Sequence, residues 1–263
     1  MSKIGIGNIL PDITNLPGQG GGGAGFTNTK STLFDGVDDY ALSSPTYSEM
    51  DGLLDFAYSF WFKMDTLVGY QNIFGISNQP QADVRAQKTQ LFWNPATSRL
   101  QVYFDGLSYF CRTDAALWTP VVGTWYHALI TRSQSRLVND RCRFYINGSN
   151  VTESENTGGH IFNTNATSGI YIGDNIGLPY SRFPGGIDEF AIYTQDMADY
   201  VSEIYNGGTP DDLTNLATAP VPDVWYRMGD KIVAWNNMPD QLVGNDAVTI
   251  NEIESVMIVP DVP

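Results

Sequence analysis

Between Phe26 and Tyr193 the chain alternates apolar and polar residues with a period of two. Ser59–Met64 (SFWFKM) places Phe60, Phe62 and Met64 on one face and Trp61 on the other, as a strand with one buried side requires. Gln71–Ile76, Gln90–Trp93, Leu100–Phe104, Leu107–Arg112, Trp125–Arg132, Arg141–Ile146, Gly169–Gly173 and Gly186–Tyr193 repeat the pattern. Asp105-Gly106 and Asn147-Gly148 stand between strands as two-residue hairpin turns, since both dipeptides accept the positive φ such turns need. Many short strands with turn residues between them predict an all-β fold, an antiparallel β-sandwich or jelly roll.

The period changes at two places only. Met197–Tyr205 sets Val201 and Ile204 on one side and predicts a short helix, closed by Gly207-Gly208. Thr209-Pro210-Asp211-Asp212 reads as an N-cap with Pro in the first turn and predicts a single-turn helix through Leu216. The flanks differ from the body. Residues 1–17 carry Ile4, Ile6, Ile9, Leu10, Ile13 and Leu16 between Gly and Pro, an apolar arm unable to fold alone, and Gly18–Gly25 is a Gly-rich tether. Three parts follow: an arm and tether over 1–25, a sandwich over 26–208, and a linker with C-terminal strands over 209–263. The last part has Trp225 and Trp235 to bury, so it either completes the sandwich or packs on a neighbouring subunit.

Composition narrows the function. Net charge is −15, with 14 basic residues against 29 acidic ones, which excludes a phosphate-binding patch and hence nucleic acid as partner. No stretch approaches the ~18 apolar residues of a membrane span, and the N-terminal residues lack the apolar core of an export signal. Synthesis in a host cytoplasm is the expectation. Cys111 and Cys142 are too few for a zinc site or a stapled fold; they read as two buried thiols, with a single bridge as the alternative.

Five motifs then occur in order: Leu33–Leu42 (LFDGVDDYAL), Phe56–Met64 (FAYSFWFKM), Gly123–Arg132 (GTWYHALITR), Phe144–Gly148 (FYING) and Phe183–Tyr193 (FPGGIDEFAIY). Together they resemble the laminin-G-like, concanavalin A-like lectin/glucanase superfamily, which includes the pentraxins. Trp225–Asp230 (WYRMGD) and Pro239–Ala247 resemble the opening segment of such domains, here moved to the end of the chain. A circular permutation or a strand donated to a neighbour would each place it there. A Gly-rich N-terminal segment joined to such a sandwich is similar to structural proteins of marine tailed phages.

The resemblance implies chemistry that the residues must then support. Relatives that cleave glucans carry Glu-x-Asp-x-x-Glu on a strand; here Glu49-Met50-Asp51-Gly52-Leu53-Leu54 has Leu in the last place, so no enzyme is expected. Asp35, Asp38 and Asp188 are the expected ligands of a Ca²⁺ ion, hard oxygens near a Gly turn, although Asp35 and Asp38 could equally serve that turn by accepting backbone N–H groups. Trp93, Asn94, Asp174 and Tyr180 are the candidates for sugar binding, aromatic faces beside amides and a carboxylate. The expected role is a non-enzymatic virion structural protein (capsid decoration, appendage or fibre-associated subunit), present in many copies and attached to other virion proteins through residues 1–17, with glycans as further partners; the alternatives are a carbohydrate-binding module for host or marine polysaccharide and a glycoside hydrolase with an unrecognised site.

Overall fold

The computed structural model describes residues 26–43, 52–77, 87–104, 109–153, 169–174, 182–230, 241–242, 247–250 and 258–263. In chain order the strands are β1 (Ser31–Asp35), β2 (Tyr40–Ser43), β3 (Phe56–Met64), β4 (Gln71–Ser77), β5 (Gln87–Asn94), β6 (Arg99–Phe104), β7 (Tyr109–Arg112), β8 (Trp125–Arg132), β9 (Cys142–Ile146), β10 (Ser149–Asn150), β11 (Gly169–Ile172), β12 (Pro184–Tyr193), β13 (Val224–Tyr226), β14 (Ala247–Ile250) and β15 (Ile258–Val259). They form two antiparallel sheets. The first has the order β10-β9-β8-β3-β12-β1-β15, with β13 also on β12; the second has the order β14-β2-β11-β4-β5-β6-β7.

The alternation read from sequence is the alternation of burial. Phe60, Phe62 and Met64 point between the sheets, where they meet Phe74, Leu91, Leu100, Phe104 and Phe190 from other strands. Trp61 points the other way and meets His127 and Tyr205. The hairpin at Asn147-Gly148 has φ of 49° and 76°, as predicted from the dipeptide. Asp105-Gly106 lies outside the described residues, but the strands flanking it pair antiparallel, Phe104 opposite Tyr109. Both cysteines are free thiols buried in the core.

A 3₁₀ turn (Ala198–Tyr200) runs into helix α1 (Val201–Tyr205), which ends at Asn206 in the left-handed region. Val201 and Ile204 cover the outer face of the first sheet and close a second apolar cluster with Leu129, Tyr193, Leu213 and Trp225. The helix expected after Thr209 does not form. The Asp212 carboxylate accepts the Thr214 N–H at 3.0 Å and the Thr214 hydroxyl at 2.6 Å, a local turn that competes with helical hydrogen bonding. The C-terminal part supplies strands to both sheets of its own chain: β13 and β15 to the first, β14 to the second. Residues 1–25, and with them the arm and tether, lie outside the described residues.

Candidate functional site

Three places gather polar chemistry, and each is set by how strands end or slip. The first is a bulge in β12. Asp188 pairs with Trp61 of β3, but the next partners are Ala191 and Ser59, so β12 carries one extra residue. Glu189 absorbs it with φ of 49°. Consequently Ile187 and Phe190 both face the core, while Asp188 and Glu189 lie against polar and ring groups of the terminal segments. The opposite edge of β12 is shared: β1 pairs with residues 184–187 and β13 with residues 190–192. The bulge therefore sits where β1 begins and β13 ends.

The residues flanking those two strands fill the gap. Glu189 accepts Trp225 Nε1–H at 2.6 Å and Arg227 Nε–H at 3.1 Å. Arg227 also donates to the Thr27 carbonyl at 2.6 Å and lies 4.2 Å over the Phe26 ring. Asp230 accepts the Thr29 N–H and hydroxyl at 2.9 and 2.6 Å. Asp188 accepts Asn28 Nδ2–H and the Glu189 N–H, both at 2.9 Å. Asp188 and Glu189 are 0% and 3% exposed, so neither can reach a substrate. Burial pushes the Asp188 carboxyl well above the carboxylate range, with Glu189 beside it adding to the shift. Burial also raises Glu189, but Arg227 and Trp225 oppose that. Glu189 faces the Arg227 guanidinium, which favours its charged form, while Asp188 takes these two bonds from neutral groups. This cluster fastens the two terminal segments together. It is not a glycosidase pair, which would flank a sugar across an open cleft.

The second place is the turn after β1. Carboxylate oxygens of Asp35, Asp38 and Asp39 lie within 4.8 Å of one another, a spacing that fits oxygen ligands of Ca²⁺. Asp35 Oδ1 already accepts the Val37 and Asp38 N–H groups at 2.7 and 3.3 Å, and Asp39 accepts the Asp35 N–H at 3.1 Å. Burial lifts the Asp39 carboxyl to about 6, with Asp35 and Asp38 adding repulsion. The turn thus ties its own backbone with carboxylates that also lie close together. Asp188 does not join them. Asp35 pairs with Pro184, four residues away along β12, which is about 13 Å of strand. Asp39 takes the third position instead; its place in Asp35–Asp39 was visible, but the direction of its side chain was not.

The third place is the outer face of the second sheet. Residues 89, 91 and 93 of β5 face the core, so 90, 92 and 94 face outward. Trp93 is therefore core, 2% exposed, with its Nε1–H donating to the Leu67 carbonyl at 3.1 Å; it is no sugar platform. Asn94 is on the outer face and donates to Gln101 Oε1 at 2.9 Å. One row outward runs Asn72, Phe92, Gln101 and Arg112, and the next runs Tyr171, Gly75, Gln90 and Tyr103. Phe92 and Tyr103 stack at 5.4 Å and 8°, and Tyr70 adjoins Phe92 at 6.1 Å. Gln90 donates to Asn72 Oδ1 at 2.6 Å. Asp174 pairs with Arg182 at 3.0 Å, and Arg182 lies over Tyr40. Tyr180 lies outside the described residues. Asn94 is partly open on this face and Asp174 is buried in its ion pair; Asn72, Gln90, Phe92 and Gln101 are 1–7% exposed, while Tyr103 and Tyr70, which the sequence reading did not name, reach solvent. Strand parity, which Trp93 itself fixes, was the available signal.

Residues 35–199 match the Laminin_G_3 family, described as Concanavalin A-like lectin/glucanases superfamily. A search of curated proteins finds no match to the sequence. Among solved structures, a protein from Bacteroides ovatus described as carbohydrate binding superimposes with a TM-score of 0.63 at 16% identity, covering 86% of this chain and 59% of that one. The chain thus spans less than two thirds of that relative's length. A heptameric SAP-like pentraxin from Limulus polyphemus gives 0.52 at 18% identity, covering 70% and 86%. Mouse laminin alpha1 domains LG4-5 give 0.41 at 17%, covering 62% and 40%. With its sandwich, its motif order and the match over residues 35–199, this chain belongs to the concanavalin A-like lectin/glucanases superfamily.

Proposed function

We propose that the protein is a non-enzymatic binding subunit of a virion, with the outer face of its second sheet as a glycan-recognition surface and residues 1–17 as its attachment arm. The observation that carries the binding reading is the part of that face that reaches solvent: Tyr70, half exposed, adjoins Phe92, Tyr103 stacks on Phe92, and the Asn94 amide is partly open beside them. Sugars are recognised by that combination, a ring face for the C–H surface and amides for hydroxyl groups. The similarity to a protein described as carbohydrate binding points the same way. The binding reading is favoured over a glycosidase because the adjacent acids at the β12 bulge are buried and bonded to the terminal segments.

The virion reading is supported by the apolar arm on its Gly-rich tether and by the acidic chain. Ca²⁺ held by Asp35, Asp38 and Asp39 would fix the turn next to β2, whose Tyr40 borders the glycan face. The test is a glycan array followed by titration calorimetry. Tyr103→Ala and Tyr70→Ala should each weaken the best ligand about tenfold or more, on the scale of one stacked contact. Binding that both variants leave unchanged would move the site elsewhere. Product release from any glycan by the wild-type chain would reinstate a hydrolase. For attachment, deleting residues 1–25 should abolish association with particles while the sandwich stays folded.

A further inference from the structure

The stretch from Thr194 to Tyr226 carries six acidic residues and no Lys, Arg or His. It leaves β12, forms α1 over the outer face of the first sheet and returns as β13, on the side of the sandwich opposite the proposed glycan face. Asn206, in the left-handed conformation, ends α1 and turns the chain back. Glu203 of α1 fastens the returning segment: its carboxylate accepts the Thr218 N–H at 2.8 Å, the Thr218 hydroxyl at 2.5 Å and the Ala219 N–H at 3.0 Å. Between the helix and that segment lies a cavity of about 390 Å³. That volume is in the range of small-molecule sites.

Burial in the cavity deepens toward one side chain. Ser202 and Asn215 are exposed at the rim, Glu203, Asn206 and Leu216 are half-buried, and Asp211 is 5% exposed at the floor. Asp211 Oδ1 accepts the Asp212 N–H at 2.8 Å, and Oδ2 has no partner among the described residues. Burial lifts its carboxyl above the usual carboxylate range, and Asp212 and Glu203 add repulsion. No Lys or Arg lines the cavity among the described residues. A buried carboxylate meets a donor or a cation in a finished site, so this floor is short of one positive charge.

The groups left open decide which cation fits. Asn206 Nδ2 donates to the Thr209 carbonyl at 3.2 Å, which leaves its Oδ1 as an acceptor. Asp211 Oδ2, Asn206 Oδ1 and the Ser202 hydroxyl offer three acceptors, matching the three N–H donors of a primary ammonium. A guanidinium binds best across both oxygens of one carboxylate, and here one of them is taken by the Asp212 N–H. Ca²⁺ takes about 6–8 oxygen ligands, and both Glu203 oxygens already accept protein donors. Leu216 gives an alkyl stem an apolar wall. We infer that this cavity binds a primary ammonium group carried on a short alkyl stem. The site is independent of the glycan face and of residues 1–17.

The test titrates the full-length chain with putrescine at pH 8 and low salt, followed by two-dimensional amide NMR spectra. Shifts should saturate at one ligand per chain and centre on Asn206, Asp211 and Asn215. Asp211→Asn keeps an acceptor for the Asp212 N–H but removes the charge, and should weaken binding about tenfold or more, the scale of one hydrogen bond between charged groups. Asn215→Lys sets an ammonium of the chain's own at the rim and should also compete with the ligand; it replaces Asp211→Asn if the latter has a lowered urea midpoint. Shifts centred elsewhere, or an affinity that these variants leave unchanged, would overturn the inference. So would CaCl₂ shifting these residues where putrescine does not, which would make the cavity a metal site. Nα-acetyl-lysine methylamide separates the sources of the ammonium. Displacement of putrescine by it assigns the cavity to a lysine side chain of a partner, and failure to displace assigns it to a free amine; both results require the ammonium site.

Discussion

Removing Arg227 should expose how the terminal segments are held. Its guanidinium lies among Glu189, the Thr27 carbonyl and the Phe26 ring. Arg227→Met keeps most of the side-chain volume but removes the charge and three hydrogen bonds, to Glu189, the Thr27 carbonyl and, at 3.5 Å, Asp230. Glu189, 3% exposed, would then keep only Trp225 Nε1 as a donor in the cluster described above. Breaking one side of a buried pair costs about 3–5 kcal/mol, because the remaining charge is left without its partner in a poorly solvated place. With a urea m-value of about 3 kcal/mol/M, a loss of about 4 kcal/mol lowers the midpoint by about 1.3 M. The penalty should shrink at low pH. Without Arg227 the Glu189 carboxyl rises further and takes up a proton, which removes the buried charge. A companion Arg227→Met/Glu189→Gln chain should regain at least half of the loss at pH 8, since neither partner is then charged. Urea unfolding followed by tryptophan fluorescence at pH 5 and pH 8 measures all of this. A loss below about 1 kcal/mol at pH 8, or a double variant no more stable than the single one, would refute the assignment of charge to Glu189 and Arg227.

Asp188→Asn should remove a pH dependence. A buried carboxyl raised in the folded state contributes stability that is complete below its ordinary pKa and is lost as pH rises through the raised value; the variant should therefore gain stability relative to wild type on going from pH 5 to pH 8 in urea titrations. Gly185→Ala should cost several kcal/mol and prevent a single folded state in NMR spectra, because Gly185 has φ of 152° and a Cβ there would lie 2.0 Å from the Lys63 carbonyl oxygen. Millimolar CaCl₂ should raise the melting temperature of wild type by a few degrees, and Asp35→Asn should abolish the rise; equal shifts in both chains would mean the cation binds elsewhere.

The sheets were legible because strand burial follows a period of two, and Ser59–Met64 fixed both faces of β3 before any coordinates. The hairpin at Asn147-Gly148 was legible for a local reason, the positive φ of both residues. What failed was chemistry that depends on partners distant in sequence. Asp188 looked like a metal ligand because it is an acid on a strand of a calcium-binding type of fold. Its neighbours are Asn28, Glu189 and, through Glu189, Arg227, and no local pattern announces that meeting. Trp93 looked like a sugar platform because it closes the predicted strand Gln90–Trp93 beside Asn94; strand parity sends it inward instead. The second helix failed because Asp212 found a nearer hydrogen-bond partner in Thr214 than a helix would give it.

The meeting of β1 and β13 on one edge of β12 governs how the protein is made. The Ser31 hydroxyl bonds the Asp261 carbonyl 230 residues away, and Thr29 bonds Asp230 across 201 residues. A chain emerging from a ribosome has β1 and β2 long before it has β14 and β15, so one edge in each sheet stays unpaired until those strands emerge. Contacts of such separation close last and slowly, since the entropy of closing the loop must be met before any pairing is gained. Final compaction therefore waits for β14 and β15 to emerge. During that interval the nascent sandwich presents open strand edges to every neighbouring copy, which makes translation rate and chaperone supply determinants of yield.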